Sequence, residues 1–147
     1  LAKKASALGM TVIYTDIIGK AKGFDEYEYL ELNDVLKKSD YVSLHIPFIK
    51  ESGATIGKDQ LAMMKDGSFL INCARGGVVD EAALVEALDN GKLAGAGVDV
   101  YVEEPTKNEA LVNHPKVSVT PHIGAATKEA QTRIGTEIME IIISFFK

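Results

Sequence analysis

A single cysteine, Cys73, is all the sequence has, so no internal disulfide framework can form. Such thiol poverty fits a reducing compartment, and a cytoplasmic location is the expectation. A basic stripe is missing too. Lys and Arg number 16 against 21 Asp and Glu, a formal net charge of -5 with both signs dispersed, so nucleic acid is not an expected partner. No apolar run approaches the ~20 residues that span a bilayer. The longest, Ile141 to Phe146 and broken by Ser144, reads as the buried face of a last helix, and no membrane partner is expected. Leu1 to Ser6 is basic but has no apolar run behind it, so it does not read as a signal peptide. Metal-ligand spacing, internal repeats, low-complexity segments and a dividing linker are absent as well, so no metal is expected. What remains is one domain over residues 1–147, long enough to bury a sizeable core.

The apolar pattern alternates between helix-like and strand-like stretches. Leu1 to Leu8 reads as the tail of a helix stopped by Gly9, and Thr11 to Thr15 as a strand ending at Asp16. A short helix over Asn33 to Lys38 precedes a strand from Tyr41 to Ile46, which Pro47 stops. Lys58 to Lys65 is helical and Ser68 to Asn72 is a buried strand. Asp80 caps a helix over Glu81 to Asp89, and Asn90-Gly91 ends it. Gly97 to Tyr101 and Val117 to Val119 read as strands, and a long helix begins near Lys128. This alternation implies an α/β fold with a doubly wound parallel sheet covered on both faces.

Asp16 closes a β-branched run. At that place in a doubly wound nucleotide domain an acid accepts hydrogen bonds from the adenosine ribose hydroxyls; an ordinary loop aspartate is the other reading. Ile17 and Ile18 follow it rather than arginine, which favours NAD over NADP. The glycine fingerprint that belongs with such an acid would lie upstream of Leu1. Gly95 and Gly97 form a G-x-G, but it leads into a strand and lacks a third glycine. It reads as a tight turn with close backbone packing instead.

Three segments each place polar residues just past a strand: Asn72-Cys73-Ala74-Arg75-Gly76-Gly77, Gly97 through Pro105, and Thr120-Pro121-His122-Ile123-Gly124. Open parallel sheets bind ligands at that edge. The residue types have a shared logic. Oxidising a 2-hydroxy acid needs a base for the hydroxyl proton, and an imidazole suits neutral pH. A carboxylate beside it stabilises the charged ring. An arginine binds the substrate carboxylate through its planar fork and polarises a keto oxygen in reverse. His122 as acid/base, Glu104 as its partner and Arg75 as anion anchor make such a set. The plainer readings are a surface arginine, half of a solvated acidic pair with Glu103, and a histidine capping the last helix. His45 reads as a packed strand-end residue or one near an adenosine, His114 as a solvated loop residue. Cys73 reads as packing or cofactor-facing rather than nucleophilic.

These segments closely resemble those of the D-isomer-specific 2-hydroxyacid dehydrogenase family, with Arg75 in N-x-A-R-G-G, Glu104 in D-V-F/Y-x-x-E-P and His122 in T-P-H-I/L-G. The likeness runs through Ser39-Asp40 and Leu44-His45-Ile46-Pro47 and covers essentially the whole chain. It implies a Rossmann-like NAD-binding domain whose catalytic residues are Arg75, Glu104 and His122. It implies a cofactor surface of Asp16, His45, Pro47, Cys73, Ala74, Asp99 and Gly124, with Asp99 holding the nicotinamide carboxamide. It further implies a small 2-hydroxy or 2-keto acid substrate and a homo-oligomer. The stretch Thr120 to Gln131 and the closing helix point to the branch acting on D-3-phosphoglycerate, in serine biosynthesis. Glyoxylate or hydroxypyruvate reduction is the alternative, and an NAD-sensing binding protein on the same fold is a third. Family members also have a substrate domain, which this chain does not contain. The first strand and glycine loop are missing as well. That strand is central in the order 3-2-1-4-5-6, so two unpaired edges are expected at an open seam, with strong NAD binding and catalysis lost from the chain alone.

Overall fold

A computed structural model describes residues 1–146. In chain order the elements are α1 Ala2–Ala7, β1 Ile13–Tyr14, β2 Glu28–Tyr29, α2 Leu32–Lys38, β3 Tyr41–Leu44, α3 Lys58–Met63, β4 Ser68–Asn72, α4 Glu81–Asp89, β5 Leu93–Val98, α5 Glu109–Val112, β6 Val117–Val119 and α6 Lys128–Phe145. Every strand pair is parallel. The strands form two separate sheets, β1-β2 and β3-β4-β5-β6. No ladder joins them among the described residues, so the expected break falls between β1-β2 and β3.

Period-two alternation decides which side of the larger sheet is covered. Val42, Leu44, Leu70, Ala96 and Val98 share one face and are buried. They join Leu36 of α2, Leu61 of α3 and Leu84 and Leu88 of α4 in one core. Asp80 caps α4 as expected, accepting from the Ala82 and Ala83 amides at 3.0 Å, and Gly91 past its end takes φ +79°, a left-handed value that favours glycine. The opposite sheet face is open. There Tyr41 and Phe69 stack with ring centroids 5.0 Å apart while both remain exposed.

The structure corrects five expectations, the first being a sheet covered on both faces, since the Tyr41–Phe69 face is open. The strand read as Gly97 to Tyr101 is Leu93–Val98, so Asp99 to Tyr101 lie beyond its end. Gly95 and Gly97 therefore sit within β5, not in a turn. A Cβ on Gly95 would come within 3.0 Å of the Phe69 ring, so the glycine makes room for an aromatic. His114 is not a solvated loop residue. Its side chain is only 7% exposed, with Nδ1 accepting from the Lys116 amide and Nε2 on Asp89. Finally, α6 buries no residue. Ile134, Ile138, Ile141, Ile142 and Phe145 follow helical spacing along one stripe, but among the described residues none covers it and all five are exposed.

Candidate active site

Three loops leave the carboxyl ends of β4, β5 and β6, which lie side by side. The first turns sharply because Asn72, only 4% exposed, closes it from within. Its Oδ1 accepts from the Ala74 amide and its Nδ2 donates to the Arg75 carbonyl, both at 3.2 Å. Arg75 is exposed, and its Nη1 donates to the Ala74 carbonyl at 2.6 Å. Gly76 follows, where a Cβ would fall 1.7 Å from the Tyr101 carbonyl oxygen. The backbone of the arginine loop is thus pressed onto that of the glutamate loop, an approach open only to glycine.

In the second loop the Tyr101 amide donates to Glu104 Oε1 at 3.1 Å. The Tyr101 phenol donates to the Thr120 carbonyl at 2.8 Å. Burial, and then the nearby Asp99 charge, push this phenol's pKa up, so it stays a donor. One tyrosine thereby ties the glutamate loop to the histidine loop. Asp99, 4% exposed, holds the histidine loop at three points: its carboxylate accepts from Thr120 Oγ1 at 2.5 Å, the Ile123 amide at 2.9 Å and the Gly124 amide at 3.1 Å. Burial alone would raise the Asp99 pKa, but these bonds outweigh it and the group titrates below the ordinary carboxylate range. Their grip surrounds a strained residue. His122 has φ +56°, the one positive value outside glycine among the described residues. A non-glycine residue so placed costs of order 1–3 kcal/mol and persists only where its surroundings enforce it.

The loops bring His122 Nδ1 to 2.6 Å from Glu104 Oε2, with the side chains 44% and 38% exposed. The His122 bond, followed by the Tyr101 amide, lowers the Glu104 pKa. Glu104 is therefore ionised at neutral pH and accepts a hydrogen bond from Nδ1–H. The network thus assigns the Nδ1–H tautomer, which leaves the Nε2 lone pair available as a base. A largely apolar cleft of about 440 Å³ adjoins the pair, with Pro105, Val112, Val119 and Pro121 in its walls.

A pH consequence follows. A carboxylate with a depressed folded-state pKa adds stability above its unfolded value, about 4.3, and that contribution is lost as pH falls through the folded pKa. The pair is expected to outlast acidification to that point and break below it. A carbon-detected NMR titration of Glu104 should give a midpoint under about 4.3, rising in His122→Ala. Identical midpoints in the two proteins would contradict the pairing.

The remaining sequence candidates distribute as follows. Thr127, not His122, caps α6, its side chain accepting from the Ala130 amide. Cys73 and Ala74 lie in the arginine loop and Gly124 in the histidine loop. Burial and the Asp99 charge raise the Cys73 pKa, which disfavours a thiolate. His45 and Pro47, both exposed, follow β3, with His45 Nε2 3.0 Å from Ser43 Oγ; His45 is therefore not packed. Asp16 follows β1 on the smaller sheet, exposed, with Oδ1 accepting from the Ile18 amide at 3.1 Å. Asn72, Thr120 and Tyr101 were not singled out from the sequence. Only Asn72 carried a readable signal, an amide side chain at a strand end entering a glycine turn.

The acceptor chemistry suits a dinucleotide. Asp16 keeps an uncommitted carboxylate oxygen for ribose hydroxyls. Among the described residues, Asp99 Oδ2 accepts only from Gly124, so a lone pair remains for an amide donor. A Cβ on Gly124 would stand 3.3 Å from that oxygen and crowd the approach to it.

Residues 1–124 match the family described as D-isomer specific 2-hydroxyacid dehydrogenase, NAD binding domain. A D-3-phosphoglycerate dehydrogenase of Bacillus subtilis (strain 168) is 43% identical over 152 residues, covering 100% of this chain and 28% of its own length. The crystal structure of a glyoxylate reductase from Paecilomyes thermophila superposes with TM-score 0.89 at 37% identity, covering 97% of this chain and 44% of that one. A D-lactate dehydrogenase from Aquifex aeolicus, complexed with NAD and lactic acid, gives 0.84 at 34% identity, with coverages of 99% and 49%. This chain spans less than half the length of each.

Proposed function

The chain belongs to the D-isomer-specific 2-hydroxyacid dehydrogenase family, as an NAD-binding domain, and from that premise we propose that the full-length protein transfers hydride between NAD and D-3-phosphoglycerate in serine biosynthesis. The observation that carries the chemistry is the 2.6 Å contact between His122 and an ionised Glu104 on the rim where β4, β5 and β6 end. When bound, NAD supplies the nicotinamide carbon that accepts or returns the hydride. His122 takes the substrate hydroxyl proton at Nε2 and returns it to the keto oxygen in reverse. Glu104 stabilises the imidazolium and fixes the ring's tautomer. Arg75 exchanges its bond to the Ala74 carbonyl for a fork onto the substrate carboxylate. Asp16 accepts from the ribose hydroxyls and Asp99 from the carboxamide, while His45, Pro47, Cys73, Ala74 and Gly124 line the cofactor surface.

The choice of D-3-phosphoglycerate is supported by the run from Thr120 to Gln131; identity does not decide it, being 43% both to the Bacillus subtilis enzyme and to a glyoxylate reductase of Thermococcus litoralis. The structural likeness to a glyoxylate reductase favours a second reading, reduction of glyoxylate or hydroxypyruvate. Steady-state reduction of 3-phosphohydroxypyruvate, hydroxypyruvate and glyoxylate with NADH by the full-length protein separates them. We expect kcat/KM for the phosphorylated acid to lead by at least about tenfold, the scale of discrimination by one additional group. A lead for glyoxylate selects the second reading, and turnover of no 2-keto acid ends both. The 147-residue chain alone is expected to show no micromolar NADH binding by fluorescence, because its two sheets are not joined. The reading includes a cytoplasmic homo-oligomer, supported by the lone Cys73 and by the uncovered stripe on α6. No described helix is long and apolar enough to cross a membrane.

A further inference from the structure

We propose that Glu81 is a positioning residue for Glu104 and, through it, for His122. This rests on reading that pair as the group that handles the substrate proton. Two acids, Asp80 and Glu81, stand at the start of α4, and the structure separates their tasks. Asp80 satisfies the free amides of the first turn by accepting from Ala82 and Ala83, so Glu81 is not needed as a cap. Its carboxylate leaves the helix altogether. Oε1 accepts from the Val102 amide at 2.8 Å and Oε2 from Asn108 Nδ2 at 2.8 Å. The amide orientation of Asn108 is settled independently, because its Oδ1 caps α5 by accepting from the Leu111 amide.

Val102 and Asn108 bracket the loop that carries Glu104. A single carboxylate therefore pins both ends of a segment with no regular structure. Beyond Tyr101, whose phenol anchors the start of the loop on Thr120, little else restrains it. The Tyr101 amide bond to Glu104 is internal to the turn. Lys107 and Glu103 form an exposed pair within the loop, of a kind that contributes little. Among the described residues, the other hydrogen bond from residues 102–107 to a distant element is the Glu104–His122 contact itself. With Glu81 in place the loop holds the pair; without it the pair would have to hold the loop. The peptide that Glu81 grips through Val102 is also the one against which Gly76 is pressed, so the same anchor sets the spacing to the Arg75 turn.

The test uses kcat and KM of the full-length protein. Glu81→Ala is expected to lower kcat by about 10- to 100-fold, the scale of roughly 1 Å of misplacement at a reacting group, with KM within about threefold. Glu81→Gln, which keeps an acceptor for Val102, is expected to restore part of the rate. Hydrogen exchange of the Val102 amide in the 147-residue chain should quicken in Glu81→Ala. If Glu81→Ala fails to fold, Glu81→Asp carries the test: it keeps the charge but is too short to reach both donors, so a several-fold loss of kcat is expected. Unchanged kcat in a folded Glu81→Ala or Glu81→Asp, alongside inactive His122→Ala and Glu104→Gln, overturns the positioning role. Full activity in all of these variants instead overturns the functional reading beneath it.

Discussion

Replacing His122 with alanine in the full-length protein is expected to lower kcat by roughly 10²- to 10⁴-fold, the range that a positioned general acid/base contributes, with KM within a few-fold. The split follows from where the group acts. Nδ1 is committed to Glu104, so in the proposed reaction the ring would meet substrate through Nε2, at the hydroxyl whose proton would move. A contact of that kind matters chiefly in the transition state, and its loss is read in kcat rather than KM. Arg75 makes the complementary case: its fork would hold the carboxylate before and during reaction, so Arg75→Lys should raise KM as well, because a point charge cannot reproduce a planar pair of donors. An NAD-sensing protein on the same fold would retain cofactor binding in His122→Ala and have no turnover to lose. Equal turnover in wild type and His122→Ala would remove the histidine from the chemistry, and with it the enzyme reading of this rim.

How far the sequence led depends on the kind of signal each feature left. Local patterns were legible: α4 with its Asp80 cap, β4 with Phe69, Leu70 and Ile71 at its centre, and the parallel order that these imply. So was the pairing of His122 with Glu104, because both follow strands in a fold that gathers strand ends along one edge. The two-residue strand β2 was not. Glu28-Tyr29 is too short for alternation to register, and it exists through its pairing with Ile13 and Tyr14. The end of β5 was misplaced because Gly97 to Tyr101 alternates well, while the chain there is already leaving the sheet to let Asp99 reach the histidine loop. The stripe on α6 misled in another way. Apolar spacing states that a face seeks a partner, not that the partner lies in the same chain. Least legible were Tyr101, Thr120 and Glu81, whose bonds run to residues 19, 21 and 21 positions away, separations at which no local pattern operates.

The largest effect on stability is expected at a residue with no side chain. A Cβ on Gly76 would lie 1.7 Å from the Tyr101 carbonyl oxygen and 2.3 Å from its carbon. Both atoms are backbone, and neither can swing aside as the tip of a long side chain would. Gly76→Ala must therefore separate the arginine loop from the glutamate loop. Overpacking of this sort costs about 1–3 kcal/mol where neighbours can adjust, and more where they cannot, so a loss on the order of 3 kcal/mol or more is expected by urea unfolding. The separation would also strain the Val102 amide's bond to Glu81 and shift the loop that carries Glu104, so activity should fall even where the variant still folds. Gly135 supplies the control. It lies within α6 with nothing within 4 Å of an added Cβ, and alanine there removes a flexible residue from a helix interior. Gly135→Ala should be neutral or stabilising, by up to about 1 kcal/mol. Equal stability of Gly76→Ala and wild type would show that the arginine and glutamate loops are not in backbone contact.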